Sequence, residues 1–285
     1  MLKQPQSRGK YIYNRVPRRD YESKKIEDMK KKLLSQLSLS DQSKSIILGT
    51  LLGDGCLQLT KKYKNARLSI RHSTPQKEYF FWKATMLKEI ASAKSVQLQT
   101  PDVESYSKKK KLLFQSRATE DITSLYNILY KEKALRIQRR WLNHLTPLSL
   151  AVWWCDDGSI IGSPARRGVL CTDGFDQKSV FLIARYLQKV WNIYVHVGSI
   201  RRDRKNGNYS KKEYYRLWFC TEELKKWLRI ITPHIPVASM VYKSIIVYKD
   251  SQFQQRWISE LKEALPQFHE QIDEALRKKT KQRMI

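Results

Sequence analysis

Two acidic steps interrupt apolar segments of the chain. Leu150–Ser159 reads LAVWWCDDGS, and Ile47–Cys56 reads ILGTLLGDGC. In each, a run suited to a buried helix ends in carboxylate and glycine: Asp54-Gly55 in one, Asp156-Asp157-Gly158 in the other. A lone Asp-Gly is most often a turn. Two copies with the same grammar, Asp54 and Asp157 lying 103 residues apart, ask for more. If the two helices pack side by side, their C-terminal ends bring these acids together. Carboxylates there face the negative ends of helix dipoles and one another, both unfavourable for anions. A cation must compensate. Lys or Arg could serve, but hard carboxylate oxygens also suit Mg²⁺, which keeps several waters when bound by one or two carboxylates. Paired carboxylates, a divalent metal and a surface for nucleic acid together point to phosphodiester hydrolysis, with metal activating water and stabilising the leaving oxygen.

The elements that must position these acids come in duplicate. Pro75–Leu87 matches Asp176–Leu187 at an offset of 101, and Ala118–Leu129 matches Cys220–Ile231 at 102. Three matches in one order at nearly constant offset mark a tandem repeat. The unit reads αββαββα, an α+β module whose four strands form one antiparallel sheet. Its first helix is expected to be capped by Asp41 in one copy and by Thr146-Pro147 in the other, and stopped by Gly55 and Gly158. A middle helix starts near Thr74 or Asp176, with Glu78, Tyr79 and Trp82, and Phe181, Ala184 and Leu187, at helical spacing. The last helix is expected to be capped by Thr119 or Thr221. The expected organisation is a basic extension over 1–39, repeats over 40–140 and 141–250, and a helical extension over 251–285. Each motif helix carries small residues four apart, Gly49/Gly53 and Ala151/Cys155, that permit close approach at the repeat interface.

Charge supplies the partner class. The 55 Lys+Arg against 27 Asp+Glu give +28, which opposes compaction unless a polyanion absorbs it. The excess gathers on the expected strand pairs and their connections. Lys61, Arg67, Arg71, Lys108 and Lys110 fall in the first copy, and Arg166, Arg201, Arg202, Arg204, Lys205 and Lys211 in the second, around an Asn206-Gly207 turn. A two-stranded ribbon fits the major groove, where such side chains meet guanine edges and phosphates. No basic amphipathic helix or long apolar run indicates a membrane partner. The four cysteines lack CxxC spacing and the five histidines form no partner motif, which argues against structural zinc. An intracellular, reduced setting is expected. The acidic residues Asp20, Glu22, Glu27 and Asp28 make the N-terminus a poor transit peptide; a phosphate-touching arm fits as well.

ILGTLLGDG (Ile47–Gly55) and LAVWWCDDG (Leu150–Gly158) resemble the paired signatures of LAGLIDADG homing endonucleases, and LTPLSLAVWWCDDGS is similar to the branch found in organellar group I introns. The resemblance spans about residues 40–250. It implies a pseudo-symmetric monomer with the motif helices at its interface and two antiparallel sheets forming a DNA-binding saddle. The expected target is a long, roughly pseudo-palindromic duplex. Cleavage would run across the minor groove, leave short 3′ overhangs and promote intron mobility. The resemblance implies that Asp54 and Asp157 bind the metal (Mg²⁺ or another divalent cation) and that Gly53 and Asp156 offer main-chain carbonyls. It places Lys243, in PVASMVYK, like the family's catalytic lysine, and leaves the first repeat's counterpart open among Lys133, Arg139 and Arg140. Val152 and Asp156 stand where the signature has small residues, so close packing is expected to shift to Ala151 and Cys155. The resemblance also admits an RNA-binding intron maturase, and encoding by a chloroplast or mitochondrion. A third reading is a DNA-binding regulator with an inactive nuclease site, which the intact acids of both motifs disfavour.

Overall fold

Apolar helices need a partner on nearly every side, and the two motif helices provide it for each other. The computed structural model describes residues 34, 36–61, 63–100, 110–162, 165–201 and 213–281. Everything below belongs to the unit spanning Leu37–Ile285. The expected N-terminal arm lies mostly outside the described residues.

The first repeat runs α1 (Asp41–Leu52), β1 (Gly55–Gln58), β2 (Arg67–Ser73), α2 (Lys77–Met86), β3 (Val96–Gln99), β4 (Lys111–Gln115) and α3 (Glu120–Leu129). A short hairpin, β5 (Tyr130–Lys131) and β6 (Ala134–Leu135), and a single turn, α4 (Arg139–Leu142), lead to the second repeat. That repeat runs α5 (Pro147–Asp157), β7 (Gly158–Ile161), β8 (Arg167–Leu170), α6 (Gln177–Trp191), β9 (His196–Arg201), β10 (Glu213–Phe219) and α7 (Thr221–Ile231). A 3₁₀ segment at Ala238–Ser244 follows, then α8 (Ser251–Ala264) and α9 (His269–Lys281). The helical extension expected over 251–285 thus holds two helices, broken at Leu265-Pro266, where proline cannot continue the hydrogen-bond ladder.

The two sheets repeat one topology, β1-β2-β4-β3 and β7-β8-β10-β9, antiparallel throughout. Alternation along the strands sorts the faces. In the first sheet Leu57, Leu68, Ile70, Leu112 and Phe114 share the core side, while Gln58, Arg67, Arg71, Gln97, Gln99 and Lys111 share the other. In the second, Leu170, Leu217 and Phe219 face the core, and Arg167, His196, Tyr214 and Arg216 the opposite side.

Helix termini differ from expectation by a residue or two. Ser40, not Asp41, caps α1, its hydroxyl accepting from the Ser43 N–H at 3.2 Å; Asp41 takes the first helical position, where the dipole favours it. Cys220 occupies the cap position of α7 and Thr221 its first turn. Thr146 and Thr119 cap as expected, and Asp176, near which the middle helix was expected to start, caps α6. Gly53, not Gly55, ends α1, so Asp54 lies beyond the helix, whereas Asp157 is the last residue of α5, which Gly158 closes. The middle helices bury Tyr79, Phe80 and Lys83, and Val180, Ile183, Tyr186 and Leu187; Glu78 and Phe181 are exposed.

The helix interface also corrects the expected register. A Cβ on Gly49 would collide with the Ser149 carbonyl oxygen and lie 2.9 Å from Val152 Cβ, and one on Gly53 would lie 2.5 Å from Asp156 Cβ. The larger side chains of the second motif therefore enter the space left by the glycines of the first. The seam is small against large, with no shift to Ala151 and Cys155. Gly49→Ala is expected to destabilise the fold by about 1–3 kcal/mol through overpacking, despite alanine's better helix propensity. Denaturant unfolding measures this as a lower midpoint.

Candidate active site

Both motif acids sit at the repeat seam, where the helix ends converge. Asp54 keeps 37% of its side chain exposed, which leaves it open to a solvent-borne ion, while Asp157 is half-buried. Burial raises the Asp54 carboxyl to about 6, the neighbouring Asp156 adds to this, and Lys83 and Lys243 oppose it. Asp157 is pushed up to about 7, again chiefly by burial, then by Asp54 and Asp156. The predicted mutual discomfort of these acids is present.

Raised carboxyl pKa values mean that the folded chain holds protons which the unfolded chain, with carboxyls near 3.8, has released. Stability contributed by these groups is therefore full below the unfolded value and falls as pH climbs towards 6–7. The metal-free Asp54→Asn/Asp157→Asn chain is expected to melt higher than wild type at alkaline pH, and equally at acid pH below the ordinary carboxylate range. Mg²⁺ is expected to raise the alkaline melting temperature of wild type alone, since a ligand that binds only the folded state stabilises it.

Asp156 behaves differently from its neighbour. Its carboxylate is fully buried and accepts from the Lys83 ammonium at 2.6 and 2.8 Å and from the Asp54 N–H at 3.2 Å. Lys83 Nζ also lies 3.4 Å from Nε2 of buried His72 and 4.7 Å from the Tyr79 ring centroid. Tyr79 in turn donates to the Val152 carbonyl at 3.1 Å, tying α2 to α5. His72 is held neutral, its pKa lowered to about 4 by burial and by Lys83. The side chain of Asp156 is thus an ion-pair member as well as the expected source of a main-chain carbonyl.

Lys243 is no solvated surface residue. Its ammonium is buried and donates to the carbonyls of Trp154 (3.2 Å), Cys155 (2.5 Å) and Asp156 (3.4 Å), capping the negative end of α5. Of the three candidates in the first repeat, Lys133 lines a cleft of about 560 Å³ together with Gly53, Tyr130, Asp157 and Asp173. It stands at the tip of the β5–β6 hairpin, where both turn residues, Glu132 and Lys133, have positive φ. Arg139 instead donates to Asn143 Oδ1, and Arg140 to the Ile128 carbonyl.

Among the described residues, Asp54, His72 and Asp156 offer ligand atoms within 4.8 Å of one another. That cluster already contains the Lys83 ammonium on both Asp156 oxygens, so a dication placed there would meet a cation. The donor set of Asp54 and Asp157 fits better: two hard carboxylates, destabilised as anions, with no ammonium or guanidinium among the described residues at ion-pair distance.

The predicted DNA contacts divide. Arg71 is exposed on the polar face of the first sheet, and Arg67 shares that face, stacked 4.5 Å over the Tyr63 ring. Lys61 and Lys110 are exposed. Arg166 lies 5.8 Å over the Tyr248 ring. Arg201 points to the core side of its sheet's pleat and pairs with Glu213 at 3.0 Å, so it is not a free basic contact. Arg167 and Arg216, outside the expected contact set, share the polar face; Arg216 is held by Asp173 through two 2.7 Å bonds. Lys108, Arg202, Arg204, Lys205 and Lys211 lie outside the described residues.

Residues 44–227 match the model of the LAGLIDADG DNA endonuclease family, well over half of the chain. The chain belongs to that family. The solved structure of the homing endonuclease I-WcaI bound to its DNA recognition sequence aligns with a TM-score of 0.61 at 20% identity, covering 82% of this chain and 96% of that one. DNA endonuclease I-ChuI of Chlamydomonas applanata is 25% identical over 170 residues, 55% of this chain and 76% of that protein. Protein RecA of Mycobacterium gastri is 28% identical over 220 residues, and the cytochrome b mRNA maturase bI2 of Saccharomyces cerevisiae 24% over 210. These cover 72% and 70% of this chain; the chain spans about half the length of those two relatives, 47% and 46%.

Proposed function

We propose that the chain is a divalent-metal-dependent, sequence-specific endonuclease that cuts both strands of duplex DNA, one motif acid serving each strand. The observation that carries this reading is the pair of raised-pKa carboxylates, Asp54 and Asp157, at the seam of two repeats whose sheets turn basic faces outward. Membership of an endonuclease family supports it. Asp54 and Asp157 would hold Mg²⁺, with the Gly53 and Asp156 carbonyls beside them. Bound metal supplies an activated water and stabilises the leaving oxygen. Asp54 and Asp157 would present that chemistry to the scissile phosphates. Lys243, through the α5 carbonyls, offsets the negative helix end beneath them. Lys133 faces the same cleft and is our choice for the basic group near the phosphates in the first half. The basic sheet faces, with the residues outside the described set, would seat a long, roughly pseudo-palindromic site, and one chain carrying both halves acts as a monomer. Cleavage across the minor groove would leave short 3′ overhangs, the ends that intron homing uses. Encoding by an organellar intron belongs to this reading. Among the described residues no helix is long and apolar enough to cross a membrane.

Selection of cleaved molecules from a randomised duplex library with Mg²⁺ tests the proposal. Enrichment of one extended sequence is expected; no cut duplex would remove it. The second reading, an intron maturase acting on RNA with or without DNA cleavage, is favoured by the likeness to the cytochrome b maturase. Splicing of the host intron with and without the chain separates the two.

A further inference from the structure

Asp54 and Asp157 are held in unlike ways. Asp157 is the last residue of α5, so the helix fixes it; Asp54 lies past Gly53, outside any regular element. We propose that His72, Lys83 and Asp156 are positioning residues for Asp54, forming a buried polar circuit that grips this acid and has no counterpart around Asp157 among the described residues. This rests on the nuclease reading above.

The circuit can be followed atom by atom. The Asp54 N–H donates to Asp156 Oδ2 at 3.2 Å. Asp156 takes both its short bonds from Lys83, across the repeat seam. Lys83 donates to His72 Nε2 at 3.4 Å, which leaves the imidazole proton on Nδ1. That N–H donates to Gln76 Oε1 at 3.3 Å and lies 3.5 Å from Asp54 Oδ2. Main chain and carboxylate of Asp54 are thus both touched by one connected set drawn from β2, α2 and α5.

The second repeat lacks each member. Strand pairing sets Ile70 opposite Gly55 and Leu170 opposite Gly158, so the place of His72 is taken by Thr172. Burial sets the two middle helices in register at an offset of 100 rather than the 101 read from the sequence, so the buried pair Phe80 and Lys83 of α2 corresponds to Val180 and Ile183 of α6. Asp156, one residue before its motif acid, corresponds to Gly53. Apolar replacement of a buried ion pair is commonly neutral or stabilising, so stability alone gives weak reason to keep one. Ile183 shows that the fold accepts an apolar side chain at this point of the module. The charges persist beside the one acid that no helix fixes. Groups behind metal-binding side chains act by orienting them.

The test uses the full chain. Lys83→Met/Asp156→Asn removes both charges together and leaves an amide oxygen for the Asp54 N–H. With duplex labelled on each strand, this variant is expected to slow cutting of one strand by about 10–100-fold, as loss of second-layer partners does. The other strand and DNA affinity change little, so nicked duplex accumulates. His72→Thr, which installs the second repeat's residue, is expected to slow the same strand. Equal slowing of both strands, or of neither, in a folded variant would overturn the proposal. If the double variant does not fold, the same two outcomes in His72→Thr overturn it. A second readout needs no activity. In the metal-free chain at neutral pH the imidazole ¹⁵N resonances of His72 should report the neutral Nδ1–H tautomer, with Nε2 shifting in the double variant. An imidazolium, or the Nε2–H tautomer, contradicts the circuit. A wild-type chain that cuts no duplex would remove the nuclease reading and the positioning role with it, while the imidazole measurement still reports whether the circuit exists.

Discussion

Asparagine at position 54, or at position 157, is expected to abolish double-strand cleavage while specific DNA binding survives. Each substitution keeps shape and removes the charge that would hold the metal, at a site whose burial makes that charge costly without one. Metal-centred charge stabilisation contributes several kcal/mol to a transition state. At about 1.4 kcal/mol per tenfold in rate, the loss is about a thousandfold or more. Binding should hold or tighten, because the proposed duplex contacts lie on the sheets and a carboxylate near phosphates repels them. Strand-resolved cleavage and a binding isotherm on the selected duplex measure both. Undiminished double-strand cutting by either variant would remove the mechanism.

Lys83→Met alone is expected to be among the most destabilising single changes in the molecule. Lys83 and Asp156 have side-chain exposures of 1% and 0%, and their ion pair is 2.6 Å long. Removing one partner of such a pair leaves a buried charge uncompensated, at about 3–5 kcal/mol. The companion Asp156→Asn change removes that charge, so Lys83→Met/Asp156→Asn should recover most of the loss. Equilibrium denaturation of wild type, both single variants and the double variant forms a closed cycle, and a large coupling between the two positions is the expected result. Additive losses would show that the ion pair carries no special weight.

Much of this architecture was legible because the chain states it twice. A strand or cap that is ambiguous in one copy was resolved by its partner about 100 residues away, and both sheets share the topology the duplication implied. The two motif acids could be read from an apolar run that ends in charge. What stayed hidden depends on contacts between distant segments. Lys83 stands 73 residues from Asp156, and no local pattern distinguishes it from a surface lysine. The helix seam misled because small residues four apart suggested a symmetric contact, whereas glycines on one side accept Val152 and Asp156 from the other. The β5–β6 hairpin was missed since Glu132-Lys133 lacks the asparagine and glycine that usually advertise such a turn. Lys243 was picked out for its motif position, but its burial against the α5 carbonyls follows from how the 3₁₀ segment packs, which spacing does not show.

In the proposed nuclease, Asp54 and Asp157 jointly hold divalent metal at the centre of a bound duplex. Anomalous scattering from Mn²⁺ in crystals of the chain with its selected DNA tests it most directly. Manganese peaks coordinated by the carboxylates of Asp54 and Asp157, with Lys83 still on Asp156, are the predicted result. Peaks at Asp54, His72 and Asp156 with the Lys83 ammonium displaced, or none at either motif acid, would contradict it.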